Sequence, residues 1–245
     1  MRLSAVLAAL AIALLGRVAH AQTVTVYTSA NFAPLMVGNG RGLYPDLVAY
    51  LNLQHPGGLH FKLAYLPRKR LQVKLEDGSI DGIVIGMMPE WFDDAAQTKY
   101  LWTAPFAYDR FTLVSRSARP LDPERGDKLE GATIGLALGY VYPGIDTWMA
   151  RHHMVRNNAP SEETSLDKLV LGRIDAVVVA ESIARYYIKK HALSGQLQIH
   201  ALPLEGAERR FLVPHAQRGV FEQIAPLVRK LKDDPAWQQR SAAYQ

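Results

Sequence analysis

Apolar and polar positions alternate along this chain in two distinct rhythms. A period of two predicts strands at Val24-Thr25-Val26-Tyr27-Thr28, His60-Phe61-Lys62-Leu63-Ala64-Tyr65 and Leu197-Gln198-Ile199-His200-Ala201. Helical spacing marks Tyr44 to Leu51, where Pro45 suits a first turn, then Ser182 to Lys190 and the tail from Val220 to Tyr244. One phrase occurs twice. Leu75-Glu76-Asp77-Gly78-Ser79-Ile80-Asp81-Gly82 runs into Ile83-Val84-Ile85-Gly86-Met87, and Leu169-Val170-Leu171-Gly172-Arg173-Ile174-Asp175-Ala176 runs into Val177-Val178-Val179-Ala180-Glu181. In each copy a leucine-spaced helix (Leu71, Leu75; Leu166, Leu169) ends near a glycine, and an aspartate three residues later opens an unbroken apolar run. That is helix, tight turn and buried strand, the last suited to a parallel sheet covered on both faces. Asp81 and Asp175 read as turn formers.

Two such copies predict two α/β lobes. Open α/β sheets bind ligands beyond the carboxyl ends of their strands, so Gly86 to Trp91 and Ala180 to Ser182 face a cleft between the lobes. The loop Ser29-Ala30-Asn31-Phe32-Ala33-Pro34 opens onto the same cleft from the end of the first strand. Leu129 to Gly144 predicts a strand, a glycine-bounded loop and then a helix through Trp148.

The first residues stand apart. Met1-Arg2, the apolar run Leu3 to Leu15 and the small-residue site Ala19-His20-Ala21 match a signal peptide cleaved after Ala21. The run is shorter than the roughly 20 residues of a bilayer span, which disfavours an uncleaved anchor. The 245 residues include no cysteine, so the exported chain needs no disulfides and fits a bacterial periplasm. Without Arg2 and Arg17 the Lys and Arg count falls from 28 to 26 against 23 Asp and Glu, a net charge of +3. Apart from Arg68-Lys69-Arg70 the basic residues are scattered, so no nucleic-acid partner is expected. The histidines lack metal-ligand spacing.

The order Asn31-Phe32-Ala33-Pro34, Gly42-Leu43-Tyr44-Pro45-Asp46-Leu47, Gly78-Ser79-Ile80-Asp81-Gly82 and Tyr100-Leu101-Trp102-Thr103-Ala104-Pro105-Phe106 resembles the bacterial family 3 solute-binding proteins. These are the periplasmic receptors of polar-amino-acid ABC importers. The resemblance implies a type II periplasmic-binding-protein fold, with each lobe a mainly parallel sheet flanked by helices. It places lobe 1 at residues 22–112 and 207–245 and lobe 2 at 113–206. The chain crosses between them at Asp109 to Val114 and near Leu204 to Val213. It further implies a monomer without cofactor that closes on a small polar or zwitterionic solute and delivers it to a membrane permease.

The implied contacts are Ser29 and Phe32, Gly86, Met87 and Met88, Trp91, the loop Tyr140-Val141-Tyr142, and Glu181. In the family an arginine that binds the ligand carboxylate follows the lobe 1 strand. Here Met87-Met88-Pro89-Glu90-Trp91-Phe92 has none, and Arg70, or else Arg68, is expected to replace it. Several roles stay open: Glu181 is an ammonium acceptor or a helix cap, Met87 and Met88 line the site or fill the core, and the tyrosines touch ligand or pack the hinge side. Two other functions share the scaffold. One is an enzyme like the periplasmic cyclohexadienyl dehydratases, with Glu181 as acid or base; the other is a receptor that presents its ligand to a membrane sensor.

Overall fold

The computed structural model describes residues 22–125, 128–140, 142, 144–204 and 206–244. The expected signal peptide and Val141 lie outside them. Two mixed sheets are built to one plan. The first contains β1 (Gln22–Thr28), β2 (Leu59–Tyr65), β3 (Gly82–Met87), β4 (Leu101–Trp102), β5 (Ala107–Asp109) and β11 (Ala207–Val213). Its order is β2-β1-β3-β11-β4, with β5 also on β11. The second contains β6 (Phe111–Arg116), β7 (Thr133–Ala137), β8 (Val155–Ala159), β9 (Ala176–Ala180) and β10 (Leu197–Ala201), in the order β10-β6-β9-β7-β8.

In each sheet three strands are parallel, β2-β1-β3 and β8-β7-β9, and the strand arriving from the other sheet, β11 or β6, adds antiparallel to the third. β5 ends at Asp109 in the first sheet and β6 starts at Phe111 in the second. The crossing therefore falls at Arg110, two residues before the expected lobe boundary at 112, because Phe111 already pairs with Ala180.

Helices cover the sheets: α1 (Leu43–Leu53), α2 (Arg68–Glu76), α3 (Ile145–Arg151), α4 (Glu162–Val170), α5 (Glu181–Lys190), α6 (Arg218–Lys230) and α7 (Pro235–Ser241). On α1 the buried Tyr44, Leu47, Val48 and Leu51 follow the three- and four-residue spacing of one helix face. The repeated phrase is a repeated structure. α2 and α4 each end before a glycine with φ +71, Gly78 and Gly172, and β3 and β9 follow with every residue buried. The repeat aspartates serve their turns and strands: Tyr27 Oη donates to Asp81, and Thr133 N donates to Asp175 at 2.9 Å. One hydrophobic cluster joins Ala30 and Phe32 beside the first sheet to Ala180 and Ile183 at the end of the second. The lobes are thus closed on one another.

Candidate functional site

Between the lobes lies a cavity that opens to solvent, and the carboxyl ends of both sheets form its walls. β1 delivers Thr28, Ser29 and Ala30, the following loop delivers Phe32, and β3 delivers Gly86 and Met87, with Trp91 in the short helical turn beyond. The second lobe adds Phe111, Tyr140, Tyr142, Glu162 and Ala180. Phe32 meets Tyr140 across the cleft at 6.5 Å between ring centroids, Tyr140 meets Tyr142 at 6.4 Å, and Tyr142 meets Phe111 at 5.6 Å. The tyrosine loop reaches the cavity, and Tyr142 also packs: it is buried and its hydroxyl accepts a bond from Ala137 N at 3.1 Å. Burial raises the pKa of Tyr140 and Tyr142, which keeps both phenols neutral.

The strand β3 is specially shaped at this wall. Its register against β11 pairs Ile85 with Phe211 and Met87 with Arg210, which leaves Gly86 as the extra residue of a bulge with φ +80. The bulge re-aims the chain beyond it. Met87 lines the cavity, whereas Met88 is buried in the core and does not.

The cavity arginine is Arg68. Arg70 is exposed and outside the cavity, a correction that follows from helix geometry: Pro67 caps α2, which starts at Arg68, so Arg68 shares a face with the buried Leu71 and Leu75. Arg70 points off that face. The Arg68 guanidinium lies over Phe92 at 4.7 Å and Trp91 at 5.5 Å, and donates to the Met87 sulfur at 2.9 Å. Among the described residues no carboxylate pairs with it. Burial lowers its pKa, with Tyr140 acting the other way. Trp91 has a buried Nε1–H without a hydrogen-bond partner.

Glu181 does not reach the cavity. It opens α5, and its carboxylate is held by Arg110 and by Arg185 one turn on, which keeps its pKa low. The residue that lines the cavity at this strand end is Ala180, whose side chain carries no polar atom.

Two charged groups were not singled out from the sequence. Glu162, the first residue of α4 after the N-cap Ser161, is 4% exposed, and its Oε2 has no hydrogen-bond partner. Burial raises its pKa to about 7, although Arg209 and Tyr142 pull it back. Arg209, 8% exposed, is the inward-facing residue of β11 between Glu208 and Arg210, and the alternation of that strand was the available signal. Burial would lower its pKa, but Tyr44, Asp109 and Glu162 outweigh it. Asp109 is satisfied at the crossing, where it accepts from Arg110 N at 3.0 Å, Ser182 N at 3.2 Å and the Ser182 hydroxyl.

No family model and no curated protein matches this chain in sequence. Solved structures match in shape. An ancestral arginine-binding protein bound to arginine aligns with a TM-score of 0.73 over 92% of this chain and 99% of its own, at 17% identity. The fold is that of the two-lobed binding proteins. The Bordetella pertussis BvgS periplasmic VFT2 domain aligns at 0.67 with 21% identity over 91% of this chain and 92% of its own. An ancestral amino acid-binding protein described as a precursor of cyclohexadienyl dehydratase aligns at 0.69 with 15% identity, over 91% and 94%. The relatedness is one of architecture, so the ligand must be argued from the cavity.

Proposed function

We propose that this protein is a periplasmic receptor that closes its two lobes on a small ligand bearing an anionic group and hands it to an ABC permease. Export by a signal peptide cleaved after Ala21 and a monomeric state belong to the same reading. The observation that carries it is Arg68: a guanidinium on the wall of an interlobe cavity, without a carboxylate partner among the described residues. A charge in such a place calls for a counter-charge from the ligand. Ser29 lines the same cavity and carries a hydroxyl that can donate to an acceptor-rich group. Lobe 1 would comprise residues 22–110 and 207–245, and lobe 2 the residues between.

A thermal-shift screen against amino acids, polyamines, small carboxylates and aromatic acids tests this directly. A ligand that binds only the folded state raises the melting temperature once its concentration exceeds the dissociation constant. Arg68→Gln should weaken an anionic hit by about 1.5–3 kcal/mol, the usual worth of a charged hydrogen bond, and Arg70→Gln should leave it unchanged. Equal losses in both variants, or none, would remove Arg68 from the role.

Glu162 favours a second reading, a lyase on the same scaffold. A buried carboxyl titrating about 7 is matched to general acid or base work, whereas Glu181 is committed to two arginines. Chromatography of each hit after incubation separates the readings: new product that disappears in Glu162→Gln, with binding kept, makes the protein an enzyme.

A further inference from the structure

The charges and shapes around the cavity restrict the ligand beyond "anionic". Of the two guanidiniums on its wall, Arg209 has Asp109 and Glu162 as neighbouring carboxyl groups, whereas Arg68 has no carboxylate partner among the described residues. A carboxylate on the ligand supplies that partner. A zwitterion brings in addition an ammonium that must be compensated in its turn.

An α-ammonium group would also need an acceptor, and Ala180, which lines the cavity at the lobe 2 strand end, has no polar side chain to supply one. Glu181 is turned to Arg110 and Arg185, and Asp109 is saturated by Ser182 and the Arg110 amide. Glu162 remains, but its carboxyl is buried, has a pKa raised to about 7 and is already influenced by the neighbouring Arg209, which makes it a poor acceptor for a second cation. On the anion side, the Arg68 guanidinium lies over Phe92 and Trp91 and gives one N–H to the Met87 sulfur, which leaves its other N–H donors for a carboxylate.

The rest of the wall is aromatic. Phe32, Tyr44, Trp91, Phe111, Tyr140 and Tyr142 all line the cavity, and Phe32 and Tyr140 form a tilted pair across the cleft. Such surfaces favour a flat ring over a flexible polar chain.

We propose that the cavity selects a small aromatic monocarboxylate without an ammonium group, its carboxylate on Arg68 and its ring against Phe32 and Tyr140. This rests on the receptor reading above and narrows its ligand class.

Three probes that share one phenylethyl skeleton test it by calorimetry on the purified full chain. They are 3-phenylpropionate, L-phenylalanine, which adds the ammonium, and 2-phenylethylamine, which lacks the carboxylate. The expected result is binding of 3-phenylpropionate, at least tenfold weaker binding of L-phenylalanine and no heat from the amine. The saturated 3-cyclohexylpropionate should bind several-fold more weakly than its aromatic counterpart. L-Phenylalanine binding as tightly as 3-phenylpropionate, or tighter, overturns the proposal. If these probes fail while another amino acid or an aliphatic acid binds, the proposed class is wrong and the receptor reading stands. Silence from every compound in the wider screen rejects the receptor reading itself. Arg68→Gln, checked for an unchanged unfolding midpoint, should lose at least tenfold in 3-phenylpropionate affinity and Arg68→Lys less; full affinity in Arg68→Gln overturns the placement.

Discussion

Gly86 cedes its side-chain space to Tyr44. A Cβ built on Gly86 would sit 1.8 Å from the Tyr44 hydroxyl oxygen and 2.4 Å from its Cζ. Tyr44 is 1% exposed on α1, so it has nowhere to go. Gly86 also holds φ +80 at the bulge of β3, a backbone conformation that a side chain disfavours. Gly86→Ala therefore combines overpacking with backbone strain and should destabilise the protein by about 2–4 kcal/mol. Urea unfolding reads this as a lower midpoint at unchanged slope. Because Met87 and Trp91 follow the bulge, ligand affinity should fall in the same variant.

The carboxyl of Glu162 makes stability depend on pH in an unusual direction. Its ordinary value of 4.5 rises to about 7, chiefly by burial, with Arg209, Asp109, Tyr44, Tyr140 and Tyr142 around it. The folded state thus holds this proton more tightly than the unfolded chain does. Its favourable contribution is complete below pH 4.5 and is lost as pH rises through about 7, a difference on the order of 3 kcal/mol. Denaturant titrations from pH 4.5 to 8 should show stability falling in the native protein, and a shallower fall in Glu162→Gln. Parallel curves would mean that Glu162 does not titrate in this window.

Glu181→Gln should change ligand affinity less than about twofold, because the carboxylate is bound to Arg110 and Arg185 outside the cavity and a rim charge contributes little. Calorimetry with the best ligand checks this. A large loss would place Glu181 back in the site, as an acceptor reached in some other arrangement of the lobes.

The contrast between Glu181 and Glu162 shows what could be read without a structure. The doubled helix, glycine and strand phrase predicted both lobes and both strand ends, because that grammar is local: Gly78 and Gly172 adopt the same left-handed turn. Strand-end placement and the order of motifs together singled out Ser29, Phe32, Gly86, Met87, Trp91, Tyr140 and Tyr142, all of which line the cavity. Choosing Arg68 over Arg70 required only the start of α2, since Arg68 lies three residues before Leu71 and seven before Leu75. Pro67 is the local signal of that start. Glu162 and Arg209 were harder to see. Each lies in an ordinary polar context in sequence, and their burial arises where strand β11 of one lobe faces helix α4 of the other. No local pattern encodes that meeting.

Asp94 tests whether the arginine is held from a distance. Its carboxylate accepts four hydrogen bonds, from the backbone N–H of Thr98 (2.7 Å), Lys99 (2.9 Å) and Tyr100 (3.2 Å) and from Trp102 Nε1 (2.7 Å). These bonds fix Tyr100 and Trp102, which pack against Phe92 at 6.1 and 6.2 Å, and Phe92 in turn supports the Arg68 guanidinium at 4.7 Å. Asp94→Asn turns an acceptor-only group into one whose amide must face N–H donors, so at least one bond becomes a repulsion. A loss of about 2–4 kcal/mol in stability is expected, since bonds to a charged acceptor are each worth roughly 1.5–3 kcal/mol. If the aromatic support positions Arg68, the variant should also bind an anionic ligand more weakly at a temperature where it remains folded. Combining it with Arg68→Gln should then add little further loss of affinity, because both changes act on one guanidinium. Full additivity in that double-mutant cycle would mean that Asp94 stabilises its loop without reaching the site.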